Sequence, residues 1–211
     1  MSPRTFAKFA GGCAILAGVF GLLYAIAFIV VGAQDEDLGK RLSAFFLMVG
    51  SFLSTVALVG LYSRVREAGQ DFALWALLIG TIGAIGAAVH GGYDLALALA
   101  PSTTAPAGLP SQIDPRGLLT FGATGLALLV FALLIGRTED LPKGLAYLGC
   151  AVAALFLVLY SGRLVIVEAT NPIIVIPAVV TGFLANPAWY VWLGVSLWRE
   201  RRVVSTVSVG V

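Results

Sequence analysis

Polar residues are so sparse along this chain that six long apolar stretches stand out between them. They cover residues 10–32, 42–62, 72–100, 117–136, 145–167 and 173–198. A hydrocarbon core about 30 Å thick needs about 20 apolar residues of helix to cross it, and every stretch meets that length. All are too long for a buried strand, and none alternates with the period of two expected of a membrane barrel. The pattern predicts an all-α polytopic bundle of six transmembrane helices, with residues 1–211 as a single transmembrane domain.

The connections are mostly short, so consecutive helices should be antiparallel neighbours. The exception is PSTTAPAGLPSQIDPR over 101–116, where three of the first ten residues are Pro. Such a segment predicts an irregular surface loop. Asp114–Pro115 closes it with a helix start, Asp as the cap and Pro in the first turn. Asn171–Pro172 repeats that signal before the sixth helix.

Composition agrees with a lipid environment. Of the 211 residues, 59% are apolar and 11% are charged, against about a quarter charged in a soluble domain. The bilayer is therefore the first partner. No basic cluster interleaves with aromatics, which excludes nucleic acid as a partner. The cysteines, Cys13 and Cys150, read as small buried side chains, with neither disulfide nor metal spacing. Arg outnumbers Lys ten to three, and Ala, Gly and Val are abundant, a usage associated with bacterial genomes.

The basic residues orient the bundle. With the N-terminus inside, one face holds Arg4, Lys8, Arg64, Arg66, Arg137, Lys143, Arg199, Arg201 and Arg202. The other holds Lys40, Arg41 and Arg116, and Arg163 falls within the fifth helix. Nine against three predicts a plasma-membrane protein with both termini cytoplasmic. The basic start of the first helix and the Val31-Gly32-Ala33 ending resemble a signal peptide. Its apolar run of about 23 residues exceeds the 7–15 of a signal core, so an uncleaved helix is expected.

Small residues mark packing faces. In the third helix Gly80, Gly83, Ala87, His90 and Asp94 share one face at helical spacing. Gly117, Thr120 and Thr124 do so in the fourth, and Ala14, Gly18 and Gly21 in the first. Such faces let membrane helices approach closely, so they should turn into the bundle.

Ionisable groups in hydrocarbon cost about 2.5–3.5 kcal/mol each on insertion scales, so each needs a reason. His90, Asp94, Arg163 and Glu168 fall in or at the edge of spans, all toward the outer side. Helix rise puts His90 roughly 28 Å and Asp94 roughly 35 Å beyond the third helix's inner end. That depth fits interfacial anchoring, with Arg163 snorkelling to the headgroups. It also fits a shallow polar pocket opening outward. His90 and Asp94 stand at i, i+4, where a carboxylate can orient the ring. Tyr160 and Arg163 stand at i, i+3. Arg163 and Glu168 point about 140° apart on one helix, given 3.6 residues per turn, and should not pair. Tyr24, Tyr93, Thr120, Thr124, Ser161 and Asn171 complete the candidates for a ligand or proton pocket.

Pro177 and Pro187 interrupt the sixth helix. Asn186–Pro187 reads as a cap and first-turn Pro, predicting a helix break near mid-membrane, of the kind transporters use to expose backbone groups. The run Trp189-Tyr190-Val191-Trp192, then Trp198, reads as an inner aromatic belt, with Trp75 at the same level.

No GxSxG, HExxH, Walker loop or GxGxxG is present. The single His excludes a bis-histidine haem, and no span carries a Lys for a retinal Schiff base. No cofactor and no metal are called for, and no residue is assigned as catalytic. The ending Asn186-Pro187-Ala188-Trp189-Tyr190-Val191-Trp192-Leu193-Gly194, with Leu197-Trp198-Arg199, resembles the closing helix of small bacterial six-helix integral membrane proteins of unassigned function. That resemblance covers one helix of six and carries no catalytic residue.

The reading expected first is binding or transport of a small solute or proton through the outward pocket, with a small polar or anionic ligand. A second is an accessory, scaffold or sensor subunit, as a homo-oligomer or with a membrane partner protein. A third is a membrane enzyme acting on a lipid or isoprenoid.

Overall fold

The computed structural model describes residues 3–99, 115–166 and 170–199. Every element among them is helical. α1 is Pro3–Ala25, prolonged by a π-helical turn over Ile26–Val31. α2 is Glu36–Val65, followed by a 3₁₀ turn at Arg66–Ala68. α3 is Gln70–Leu99, α4 is Pro115–Ile135 and α5 is Lys143–Val165. α6 is Pro172–Val180, joined through a second π-helical turn at Thr181–Ala185 to α7, Asn186–Trp198. Since α6, that turn and α7 form one continuous rod, the seven helices make six rods.

Five rods are long and apolar enough to cross a membrane: Arg4–Val31, Glu36–Ala68, Gln70–Leu99, Lys143–Val165 and Pro172–Trp198. α4, at 21 residues, is the sixth apolar rod. Helices overrun the apolar stretches where cap chemistry favours it. α2 starts at Glu36 rather than 42, because Asp35 Oδ1 accepts the Leu38 N–H at 3.0 Å. Glu36 and Asp37 then sit in the first turn, where the helix dipole favours negative charge. Asn171 caps α6 as its sequence implies, accepting the Ile173 N–H at 3.0 Å. Asp114 lies outside the described residues.

The rods close into a ring. Each packs on its sequence neighbour, and α1 closes the circle by packing along α7. Glycine sets that last contact. A methyl group on Gly194 would fall 2.5 Å from the Gly11 carbonyl oxygen, and one on Gly18 would fall 2.8 Å from that of Pro187. The small face of α3 turns inward as expected. Gly80 packs on Leu58 and Ala127, and Gly91 on the backbone of Ala44 and Met48. Its opposite face carries Leu78, Ile82, Ile85 and Val89, all exposed. So many large apolar side chains on the outside suit a lipid solvent and no aqueous one.

One half of the ring is solid. Leu61, Phe131, Ile135, Leu145, Leu193 and Leu197 are among its fully buried side chains. Trp189 is there as well, at 0% exposure, its indole packed against Gly149. The aromatic run therefore splits. Trp189 and Tyr190 are core, because the face of α7 that meets α5 and α1 carries them inward, while Trp192 and Trp198 are exposed.

Basic side chains finish the helix ends. Four carbonyls at each C-terminus lack an intrahelical donor. Arg64 is buried and donates through Nη2 to the carbonyls of Leu197 at 3.1 Å and Arg199 at 2.6 Å, closing α7. Arg41 Nε donates to Ala98 O at 3.3 Å near the end of α3. Lys143 Nζ donates to Gly136 O at 2.6 Å and Thr138 O at 3.1 Å beyond α4. Trp198 Nε1 donates to Lys8 O at 2.6 Å, so the ends of α1 and α7 lie at the same end of the ring.

Candidate functional site

The other half of the ring is hollow. A cavity of about 610 Å³ lies between the rods, and all six contribute to its wall. That size falls in the range of small-ligand pockets, about 300–1,000 Å³. Small or apolar side chains form most of the wall, from Ala17 and Gly21 on α1 through Gly50 on α2 and Ala87 on α3 to Phe156 on α5 and Ala178 on α6.

Against this apolar lining stands a short set of polar groups. Arg163 is the cation of the wall. Thr120 and Thr124 face it from α4, and Tyr24 from α1. Ser51 and Ser54 of α2 and Tyr190 of α7 lie at the end nearest the solid core. Ser54 Oγ donates to the Ser51 carbonyl at 2.7 Å, and the Tyr190 phenol lies close to the Ser54 hydroxyl. Thr181 and Asn186, on the second π-helical turn and the residue after it, complete the set. Thr181 Oγ1 and Asn186 Oδ1 are buried and make no hydrogen bond among the described residues. An unmatched buried polar atom costs about 1–3 kcal/mol, so two beside one cavity call for a partner.

The expected break in the sixth helix takes a different form. Asn186 does not cap a new segment. Its backbone stays helical, and its N–H donates five residues back, to the Thr181 carbonyl. The chain accommodates Pro187 by widening the preceding turn rather than by stopping, because the proline ring cannot fit the standard turn or donate to it. Pro187 thereby leaves a carbonyl at Gly182 or Phe183 without its usual donor.

The sequence-predicted residues divide. Arg163, Thr124 and Asn186 line the cavity. His90 and Asp94 pair, with Nε2 3.3 Å from Oδ2, and their side chains are 26% and 42% exposed. They continue the stripe of Ala87 by one and two turns of α3 and form its rim rather than its wall. Asp94 is within electrostatic range of Tyr24, which does line the wall. Tyr160 packs its ring on Gly122 of α4, and Asn171 is used as the cap of α6. Ser161 is exposed. Glu168 lies outside the described residues.

Sequence reasoning passed over Ser51, Ser54, Thr181 and Tyr190. Ser51 and Ser54 carried a usable signal, since i, i+3 hydroxyls on one helix face mark a polar strip in an apolar span. Tyr190 was hidden in the aromatic run. Among the described residues no three His, Cys, Asp or Glu side chains gather as metal ligands.

No protein-family model, curated protein or solved structure matches this chain. The reading of the cavity rests on its own geometry.

Proposed function

We propose that this protein is a multi-pass plasma-membrane protein that binds a small amphiphile in its central cavity. The ligand has an anionic or strongly polar head at Arg163 and an apolar body along the wall. The observation that carries this is the wall itself: among the described residues, an apolar lining from six rods, the Arg163 cation, and two buried oxygens without hydrogen-bond partners. A fully hydrated solute would find too few polar groups there, and an alkane would leave the buried oxygens of Thr181 and Asn186 unmatched among the described residues. The anionic small solute expected from sequence thus gains an apolar body. Being hollow at one end and solid at the other favours a binding or carrier protein over an open pore.

The hollow end is read as the outward one. The nine-to-three distribution of basic residues supports both termini in the cytoplasm. The residue usage supports a bacterial inner membrane as the setting.

The test is equilibrium binding of a fluorescent long-chain carboxylate to the detergent-purified protein. Arg163→Gln should weaken binding about tenfold or more, since hydrogen bonds to a charged partner are worth about 1.5–3 kcal/mol. Equal affinity in the wild type and the variant would contradict the assignment of the head group to Arg163.

A second reading draws on the rim. His90 and Asp94, 3.3 Å apart at the mouth, have the arrangement of an imidazole base oriented by a carboxylate. On this reading the protein turns over a lipid-like or isoprenoid substrate whose head reaches the rim. His90→Gln should then abolish turnover while leaving binding intact.

A further inference from the structure

The end of α1 meets the second π-helical turn where the ring begins to part. A methyl group on Gly182, in the second turn, would fall 3.2 Å from Ala25 Cβ, the last residue before the first turn. Toward the solid half from this point, α1 runs in close contact with α7. Toward the hollow half it does not stay with the same rod. α6 leans on α5, and neither α1 nor its π-helical turn packs on it to any extent.

The residues beside this gap have an unusual double exposure. Phe28 and Ile29 on one side, and Val175 and Val179 on the other, all line the cavity. All four are also exposed, Phe28 at 62% and Val175 at 40%. Side chains that line a cavity and remain this exposed stand where it opens. These four are wholly apolar, and the outer surface on either side of them is apolar too, with Val30 and Ile176 exposed. An opening bordered this way faces hydrocarbon. Behind it, Arg163 belongs to the same cavity, and Thr181 Oγ1 lies buried without a hydrogen-bond partner among the described residues.

We infer that the cavity is loaded sideways from the bilayer, through a portal between the π-helical end of α1 and α6, and that its occupant is a single-chain membrane amphiphile with an anionic head. The inference rests on the reading of the cavity as a ligand site and adds the route and the source. A chain leaving the bilayer between Phe28 and Val175 exchanges one apolar contact for another, so crossing the portal needs no hydration of the tail. Its head can remain at the level of Arg163, which lines the cavity. The widened turns let the two rods diverge there. A π-helical turn shifts the helical register by one residue, which turns the faces beyond it away from their former neighbour.

The experiment reconstitutes the full chain in phosphatidylcholine vesicles with a long-chain carboxylate bearing a photoreactive diazirine at its tail. After illumination the adducts are mapped by peptide mass spectrometry. A parallel sample receives a short, water-soluble aryl carboxylate with the same photoreactive group. The inference predicts long-chain adducts at the portal residues and at the cavity floor, on the peptide holding Ser51 and Ser54. It predicts that Val179→Trp lowers the rate of floor labelling by about tenfold without changing labelling of the outer face of α3. Floor labelling by the short probe alone would show that the cavity binds anions from water, and would overturn the portal. Floor labelling by neither probe would instead remove the ligand site itself. If Val179→Trp reduces yield, Ile29→Trp blocks the opposite lip and is read in the same way.

Discussion

The Arg64 guanidinium closes α7 by donating to the carbonyl oxygen of Leu197 at 3.1 Å, although the two residues lie 133 positions apart. Its second bond, to Arg199 O at 2.6 Å, doubles the cap. Arg64 is buried, so the charge has left water and is held by these carbonyls and the negative end of the helix dipole. Replacing Arg64 with Ala leaves both carbonyls without this donor. The expected loss is about 2–3 kcal/mol, measured by denaturant or thermal unfolding in detergent. Arg64→Lys should recover only part of it, because an ammonium is a point donor without the planar fork.

Gly194 and Gly12 make a matched pair. Any side chain at Gly194 meets the Gly11 carbonyl and Ile15, whereas a methyl at Gly12 has nothing within 4 Å. Gly194→Ala should therefore separate α1 from α7 and destabilise by about 1–3 kcal/mol. Gly12→Ala should be neutral, or stabilising by about 0.5–1 kcal/mol, through helix propensity alone. Unfolding midpoints of the two variants, measured side by side, check this.

The buried oxygens of the cavity predict opposite effects on stability and on binding. Thr181→Val removes a hydroxyl that has no hydrogen-bond partner among the described residues and keeps the shape of the side chain. The ligand-free protein should unfold at the same midpoint or higher. Retention of a bound amphiphile should fall, because the group that would satisfy the ligand is gone. A variant that lost stability and kept its ligand would argue that Thr181 serves the fold.

Sidedness follows from the ring and the charge count together. In a background without Cys13 and Cys150, a cysteine at Thr138 should react with an impermeant maleimide only from the side that holds the termini. A cysteine at Gln34 should react only from the opposite side. Labelling of whole cells and of inverted vesicles distinguishes the two, and labelling of both positions from one side would contradict the proposed crossing number.

The helices were legible because the length of an apolar run is a local property, and the bilayer sets its scale. The inward face of α3 was legible for the same reason, since Gly80, Gly83 and Ala87 announce it by spacing alone. Arg64 was not. As a charge at the end of a span it reads as a topological marker, and its partner carbonyls belong to a helix more than a hundred residues away. Trp189 misled in a related way, because an aromatic near a helix end looks like an interfacial anchor until Gly149 is seen to make room for it. For Pro187, sequence located the irregularity but gave it the wrong shape. A cap and a widened turn both answer a missing N–H, and the packing of α1 beside Gly182 is what accompanies the second. The cavity is a property of six rods at once, and no single helix carries its outline.

The central claim is that the hollow half of the ring holds one amphiphilic molecule. Native mass spectrometry of the protein purified in mild detergent tests it most directly, comparing the wild type with Ala178→Trp, which places an indole in the cavity. The account predicts one bound small molecule per chain in the wild type and its loss in the variant, with both proteins folded by their unfolding midpoints. A wild-type protein that carries nothing even after incubation with a long-chain carboxylate, or an adduct that persists unchanged in Ala178→Trp, would contradict it.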